Sequence, residues 1–247
     1  QGKAQFSQGG LGHDVTNSMA EYGIVPNYVY SGLKEGEEKH NHSKLADSLK
    51  TILNTYLKDT KAYTSNWKND VSQVLDYYLG PDITSFNFEG VQYTPQSFLE
   101  MTKINPAAYV SITSFTHQPY YSNFILNIPD NFSNGRFYNV PLDDMINVIN
   151  HALKNGFSIE LDCDVSEKTF SSKHGIAVIP ESESQDALLN VGPEKVITPD
   201  YRQQEFENYN TTDDHLMHIT GMLVDQNGTI YYKVKNSWGS DSTRVAR

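Results

Sequence analysis

The 247-residue chain sets 19 Lys and Arg against 30 Asp and Glu, a formal net charge of −11 with His neutral, and 38% of its residues are hydrophobic, with 16 Tyr, 11 Phe and 2 Trp. That is apolar surface enough for a substantial core in one large domain or two small ones, and it excludes wholesale disorder. No apolar run approaches the ~18 residues of a membrane span, the acidic balance repels a phosphate backbone, and the single cysteine, Cys163, excludes an internal disulfide framework or a Cys-rich zinc site.

The first third is written in helical period. Leu11, Val15 and Met19 recur at i, i+4 and i+8 and run into Gly23 and Pro26, a stop. After a charged loop from Lys34 to His42, Ser43 is placed to cap a helix whose Leu45, Leu49, Ile52, Leu53, Tyr56 and Leu57 form one stripe. Trp67, Val71, Val74, Leu75, Tyr78 and Leu79 share the face of a third helix. Gly80 and Pro81 end it, the first by taking a left-handed conformation and the second by lacking a donor.

From about residue 83 the period shifts toward 2. Phe86 and Phe88, then Val91 and Tyr93, flank Glu89-Gly90 as a hairpin, and Thr94-Pro95 opens a short helix by cap and first-turn proline. Ala108 to Phe115 and Asn123 to Ile128 read as strands. Pro141, Asp143 and Asp144 begin a helix carrying Leu142, Met145, Ile146, Ile149 and Leu153, with Lys154 in its last turn and Gly156 beyond. Phe157 to Val165 and Gly175 to Ile179 are strand-like, Glu181 to Asp214 is a polar stretch, and His215 to Val224 with Thr229 to Asn236 form a hairpin around Asn227-Gly228. Helices cluster early and strands late, so the class is α+β. The chain divides into a helical part over 1–82, a mixed segment over 83–140 and a β-rich part over 141–247.

Chemistry concentrates in the last hairpin. His215 starts one strand and Asn236 ends the returning one, so the outer ends of the two strands bring an imidazole and a carboxamide together. The amide oxygen would hold the imidazole in one tautomer, and Trp238 would cover that hydrogen bond against water. This is the orienting half of a Cys-His-Asn system. His218 competes for the role of His215, but three positions is an odd step, which puts the two on opposite faces of the strand.

Asp214-His215-Leu-Met and Lys233-Val-Lys-Asn236-Ser-Trp238-Gly239 resemble the His and Asn motifs of papain-like cysteine peptidases. Gln8-Gly-Gly-Leu-Gly-His-Asp-Val15, Tyr22-Gly-Ile-Val-Pro26 with Tyr30-Ser-Gly-Leu33, and Asp164-Val-Ser-Glu-Lys-Thr-Phe170 resemble the bleomycin hydrolase and aminopeptidase C branch, in family order. The resemblance implies a helical lobe that bears the nucleophile and a β-barrel-like lobe that bears His and Asn. On that plan residues 1–82 are the remainder of the helical lobe, and the β-rich part is the His/Asn lobe. It also implies His215 and Asn236 as catalytic residues, Trp238 and Asp214 as supporting ones, and Gly221 as the strand glycine six positions after the histidine. Release of N-terminal residues from peptide substrates and assembly into a homohexamer follow from the same likeness. It requires no metal or organic cofactor. No nucleic-acid or membrane partner is expected, and the compartment is left open, with the family's cytoplasmic habit as its one pointer.

One departure matters. The family carries a Gln and then Gly-x-Cys-Trp ahead of the Gln8 segment, and no such string stands in these residues. Cys163 lies between Asp162 and Asp164, whose carboxylates suppress a thiolate, so it reads as a small half-buried residue. The expectation is a chain that starts downstream of its nucleophile and is inactive alone, as a fragment, a processed part or an abridged form. The alternative is a papain-like domain that has lost its nucleophile and serves as a binding or structural module.

Weaker constellations are read as structural. Glu160, Asp162 and Asp164 alternate on one strand face, which would suit paired carboxylates in glycoside hydrolysis but more simply gives a solvated face. His40-Asn-His42 has metal-pair spacing within a charged loop, and His13-Asp14 is an ion pair or exposed. No phosphate-binding glycine loop is present.

Overall fold

Contacts gather the chain into two units, one of Gln1–Gly9 and Val15–Tyr109 and one of Gly10–Asp14 and Val110–Arg247. The computed structural model describes residues 8–33, 36–58, 66–182, 188–190 and 192–238. Lys34 of the charged loop and Gly239 of the Asn-Ser-Trp-Gly string lie outside the described residues. Among the described residues, no helix is long and apolar enough to cross a membrane.

Among its described residues, the first unit holds helices and one hairpin. Helix α1 (Gly12–Tyr22) stops at Gly23, which has a φ of +77°. A Cβ there would sit 2.3 Å from the Pro95 carbonyl carbon, because the Ile24 N–H donates to Pro95 O at 3.1 Å. Only glycine meets both demands. The apolar stripe expected for α1 is not buried as a whole: Val15 is 59% exposed.

Helices α2 (Ser43–Lys58) and α3 (Trp67–Leu79) pack together, with Tyr56 OH donating to Asp70. The expected α2 stripe holds at buried Leu45 and fails at Leu57, which is exposed in the last turn. Ser43 is not the cap. Asn41 Oδ1 accepts its N–H at 3.1 Å and its hydroxyl at 2.7 Å, so an amide two residues earlier starts the helix. Gly80, with φ +83°, follows α3 as expected.

Strands β1 (Phe86–Phe88) and β2 (Val91–Tyr93) form the expected hairpin. Glu89 and Gly90 are both left-handed, the geometry that matches strand twist. Helix α4 (Pro95–Thr102) follows, with Thr94 and Ser97 as a reciprocal capping box. The Phe98 ring of α4 meets Phe86, Phe88 and Tyr93 edge-on at 5.0 to 5.7 Å, which makes an aromatic core.

The second unit begins with strands β3 (Ile112–Thr113), β4 (Ser122–Ile125) and β5 (Arg136–Asn139), ordered β3-β5-β4. The strand expected over Ala108–Phe115 shrinks to β3, because Asn105 caps a 3-10 turn at Pro106–Ala108. The central strand β5 has no counterpart among the expected elements. Its Asn139 is fully buried and donates to Phe115 O and Gln118 O while accepting the Phe115 N–H at 2.9 Å. One side chain thus satisfies a buried loop.

Helix α5 (Leu142–Lys154) stands where expected. Strand β6 (Ile159–Cys163) follows, then a short ribbon of β7 (Phe170–Ser171) and β8 (Ile176–Ala177), where a longer strand over Gly175–Ile179 was expected. Helix α6 (Pro199–Glu207) lies inside the stretch read as merely polar. Its Arg202 Nε donates to Ser114 O at 2.8 Å, and its Gln203 accepts the Thr116 N–H at 2.9 Å. Strands β9 (His215–Val224) and β10 (Ile230–Lys235) close the unit as the expected hairpin, although Gly228 alone of Asn227-Gly228 has a positive φ.

The order β10-β9-β6 makes β9 the central strand, with Met217 and Ile219 in the core and α5 packed against β6 and β9. Tyr232 OH donates to Asn150 of α5 at 2.9 Å. The lobe expected to be barrel-like holds small separate sheets and, among the described residues, no closed barrel.

Candidate active site

Antiparallel pairing of β6 with β9 sets Cys163 opposite His215, Leu161 opposite Met217 and Glu160 opposite His218. Side chains alternate along a strand, so His215 shares a face with core residues Met217 and Ile219 while His218 is exposed on the other face beside Lys235. Strand β10 pairs Lys233 with Gly221 but Val234 with Ile219, leaving Thr220 as the extra residue of a bulge. Continued without that bulge, the ladder would place Asn236 opposite His218. With it, Asn236 falls opposite Met217, on the face of His215.

His215 Nε2 and Asn236 Oδ1 lie 2.8 Å apart. The same Oδ1 accepts the Ser237 backbone N–H at 2.7 Å. A backbone N–H only donates, so the atom it meets is the amide oxygen. That oxygen also accepts the Nε2–H hydrogen bond, which fixes the neutral imidazole with its hydrogen on Nε2 and its lone pair on Nδ1. Among the described residues, Nδ1 makes no hydrogen bond. The Nδ1 lone pair of this tautomer can accept a proton.

The Trp238 indole lies over this imidazole, ring centroids 5.1 Å apart and planes tilted by 31°, and it is 37% exposed. Phe170 of β7 meets the indole edge-on at 6.3 Å. Asp214 accepts the Thr212 hydroxyl at 2.7 Å just before the strand begins. His215, Asn236 and Trp238 therefore meet as the hairpin predicts. Phe170 and Asp164 escaped notice as site residues, although both stand in the Asp164–Phe170 string.

The negative groups nearby are crowded. Burial raises the Asp162 carboxyl to about 7, helped by Asp213, Glu160, Asp130 and Asp214. The Cys163 thiol is pushed up to about 11 by burial and then by Asp162, Asp164 and Asp214. Cys163 pairs with His215 across the ladder, and its raised pKa disfavours the thiolate at neutral pH. The three acids do not share one face: Glu160 and Asp162 do, while Asp164 lies beyond the strand end and binds Thr212 and Ser166.

His13 is neither exposed nor a simple ion pair. Its Nε2 contacts Asn131 Oδ1 at 3.1 Å and Ser133 Oγ at 3.2 Å, with Asp14 at 3.8 Å. His40 and His42 lie 5.8 Å apart by ring centroid, and no cluster among the described residues is suited to a metal ion.

No curated protein matches the chain. Among solved structures, the crystal structure of PepW from Lactobacillus rhamnosis HN001 superposes with a TM-score of 0.66 at 21% identity, covering 96% of this chain and 58% of that one. The likeness shows the fold, and the chain spans little more than half of PepW's length. The model of the Peptidase C1-like family matches residues 3–245. The chain therefore belongs to the Peptidase C1-like family, the papain-like peptidases.

Proposed function

We propose that this chain is the His/Asn-bearing portion of a cysteine aminopeptidase of the bleomycin hydrolase type. The hydrogen bond from His215 Nε2 to Asn236 Oδ1, with no partner on Nδ1 among the described residues, is the observation that carries the reading. In this mechanism Nδ1 takes the proton of a cysteine thiol supplied from outside these 247 residues. The thiolate attacks the peptide carbonyl, and the carbon–nitrogen bond breaks as the imidazolium returns its proton to the leaving amine. His215 then takes a proton from water, which cleaves the thioester and frees the thiolate. Asn236 holds the ring through both halves of the cycle, and Trp238 keeps water off the holding bond.

On this reading the substrates are peptides with free amino termini, no cofactor takes part, and the working particle is a cytoplasmic homohexamer. The test is turnover of an aminoacyl reporter amide by the intact protein, with the N-acetylated reporter beside it. Hydrolysis of the free amine alone is expected. Equal hydrolysis of both reporters would refute the aminopeptidase assignment, and hydrolysis of neither would refute the peptidase assignment.

A second reading, a papain-like binding or structural module without a nucleophile, is favoured by the one cysteine of the sequence being the protonated Cys163. Intact mass with thiol titration separates the two. A second, fast-reacting thiol supports the enzyme, and one slow thiol supports the module.

A further inference from the structure

The segment that leaves β6 grips both sides of the His215 site. Cys163, the last residue of β6, pairs with His215, the first residue of β9. One residue on, Asp164 Oδ2 accepts the Thr212 backbone N–H at 2.8 Å, and its Oδ1 accepts the Ser166 N–H and hydroxyl, both at 2.7 Å. Burial alone would raise this carboxyl, but the hydrogen bonds from Thr212 and Ser166 outweigh it and hold the group below the usual carboxylate range. Thr211 adds a longer hydroxyl contact to Glu167 at 3.4 Å. The turn after β6 is thereby stapled to Thr211 and Thr212, just ahead of His215.

The same segment ends at Phe170, whose ring meets Trp238 edge-on at 6.3 Å. Trp238 in turn lies over the imidazole. The stapled turn bears on the strand entry at His215, and the braced indole bears on the face of the ring whose Nε2 meets Asn236.

We propose that Asp164 and Phe170 are positioning residues for His215, the first setting the strand entry and the second setting the indole over the ring. The assignment rests on the peptidase reading of His215, but its geometry does not. Misplacing a catalytic group by a fraction of an ångström to an ångström costs about tenfold to a hundredfold in turnover without changing substrate affinity.

The test uses Asp164→Ala, Phe170→Leu and Phe170→Tyr in the intact protein. Two quantities are read: kcat and KM on an aminoacyl reporter, and the imidazole 15N shifts of His215, assigned by their loss in His215→Ala. Asp164→Ala and Phe170→Leu should lower kcat about tenfold or more with KM within about twofold. Both should mix the two neutral tautomers of His215. Phe170→Tyr, which keeps the ring edge, should restore kcat and the Nε2–H tautomer. Unchanged kcat and an unchanged tautomer in Asp164→Ala and Phe170→Leu would overturn the proposal. If the unaltered protein turns over no reporter, the peptidase reading has failed and the tautomer decides alone: a mixed state supports positioning, an unmixed one refutes it. If Asp164→Ala does not fold, the two Phe170 variants decide in the same way.

Discussion

Asn236 meets His215 rather than His218 because one residue, Thr220, is surplus in β9. The bulge is a local count of two residues against one, and it changes which face of the ladder the carboxamide joins. A regular hairpin of the same sequence would send Asn236 to the exposed His218, which Glu160 pairs from the other side. The bulge therefore decides which imidazole has its tautomer fixed.

Cys163 should react slowly with an alkylating agent. Its thiol is pushed from 9.0 to about 11 by burial and by the neighbouring carboxylates. That shift lowers the thiolate fraction at pH 7.5 about a hundredfold relative to an ordinary cysteine. Rates of iodoacetamide capture followed by mass spectrometry check this, and Asp162→Asn should speed the reaction.

Acid carboxyls at the β6 edge should make stability fall as the pH rises. The Asp162 carboxyl is raised from 3.8 to about 7, so the fold favours its protonated form. That contribution is complete below about pH 4 and is lost as the pH climbs through 7. Because the Asp162 side chain is only partly covered and remains open to water on one side, solvent screening reduces the effect to roughly 1 kcal/mol. Asp162→Asn should raise Tm by about 2–4 °C at pH 8 and leave it unchanged at pH 4.

Gly23→Ala should destabilise the first unit by about 2 kcal/mol or more, since the added Cβ meets peptide backbone at Pro95 and φ is +77°. Chemical denaturation monitored by circular dichroism checks the value. Gly36→Ala is the control, because it shares a positive φ but has open space around it.

Asn139→Ala should cost about 2–4 kcal/mol, because it strands the Phe115 N–H and the carbonyls of Phe115 and Gln118 in a buried loop. Asn139→Asp should be nearly as damaging, since a carboxylate oxygen replaces the donor. Thermal unfolding of both variants provides the measurement.

The hairpin that carries the site was legible because its information is local: a turn glycine, two apolar runs and polar residues at the outer ends. Helix α5 was legible for the same reason, with acids in its first turn and a lysine in its last. Strand β5 was not, because Arg136-Phe-Tyr-Asn139 is four residues long and owes its extended form to β3 and β4 on either side. Helix α6 escaped because it buries polar groups, Arg202 and Gln203, against backbone rather than an apolar stripe. Its Thr198-Pro199 start repeats the cap signal that revealed α4 at Thr94-Pro95. The bulge at Thr220 left no residue signature, since any residue can be the surplus one, so the side of Asn236 was set by ladder geometry alone.

The central claim is that His215 is the base and Asn236 its orienter. The most direct measurement is kcat for an aminoacyl reporter in the intact protein and in His215→Ala, Asn236→Ala and His218→Ala. The account predicts a loss of about a thousandfold or more for His215→Ala and about tenfold to a hundredfold for Asn236→Ala, with His218→Ala unchanged. Full turnover in His215→Ala, or its loss in His218→Ala alone, would contradict it.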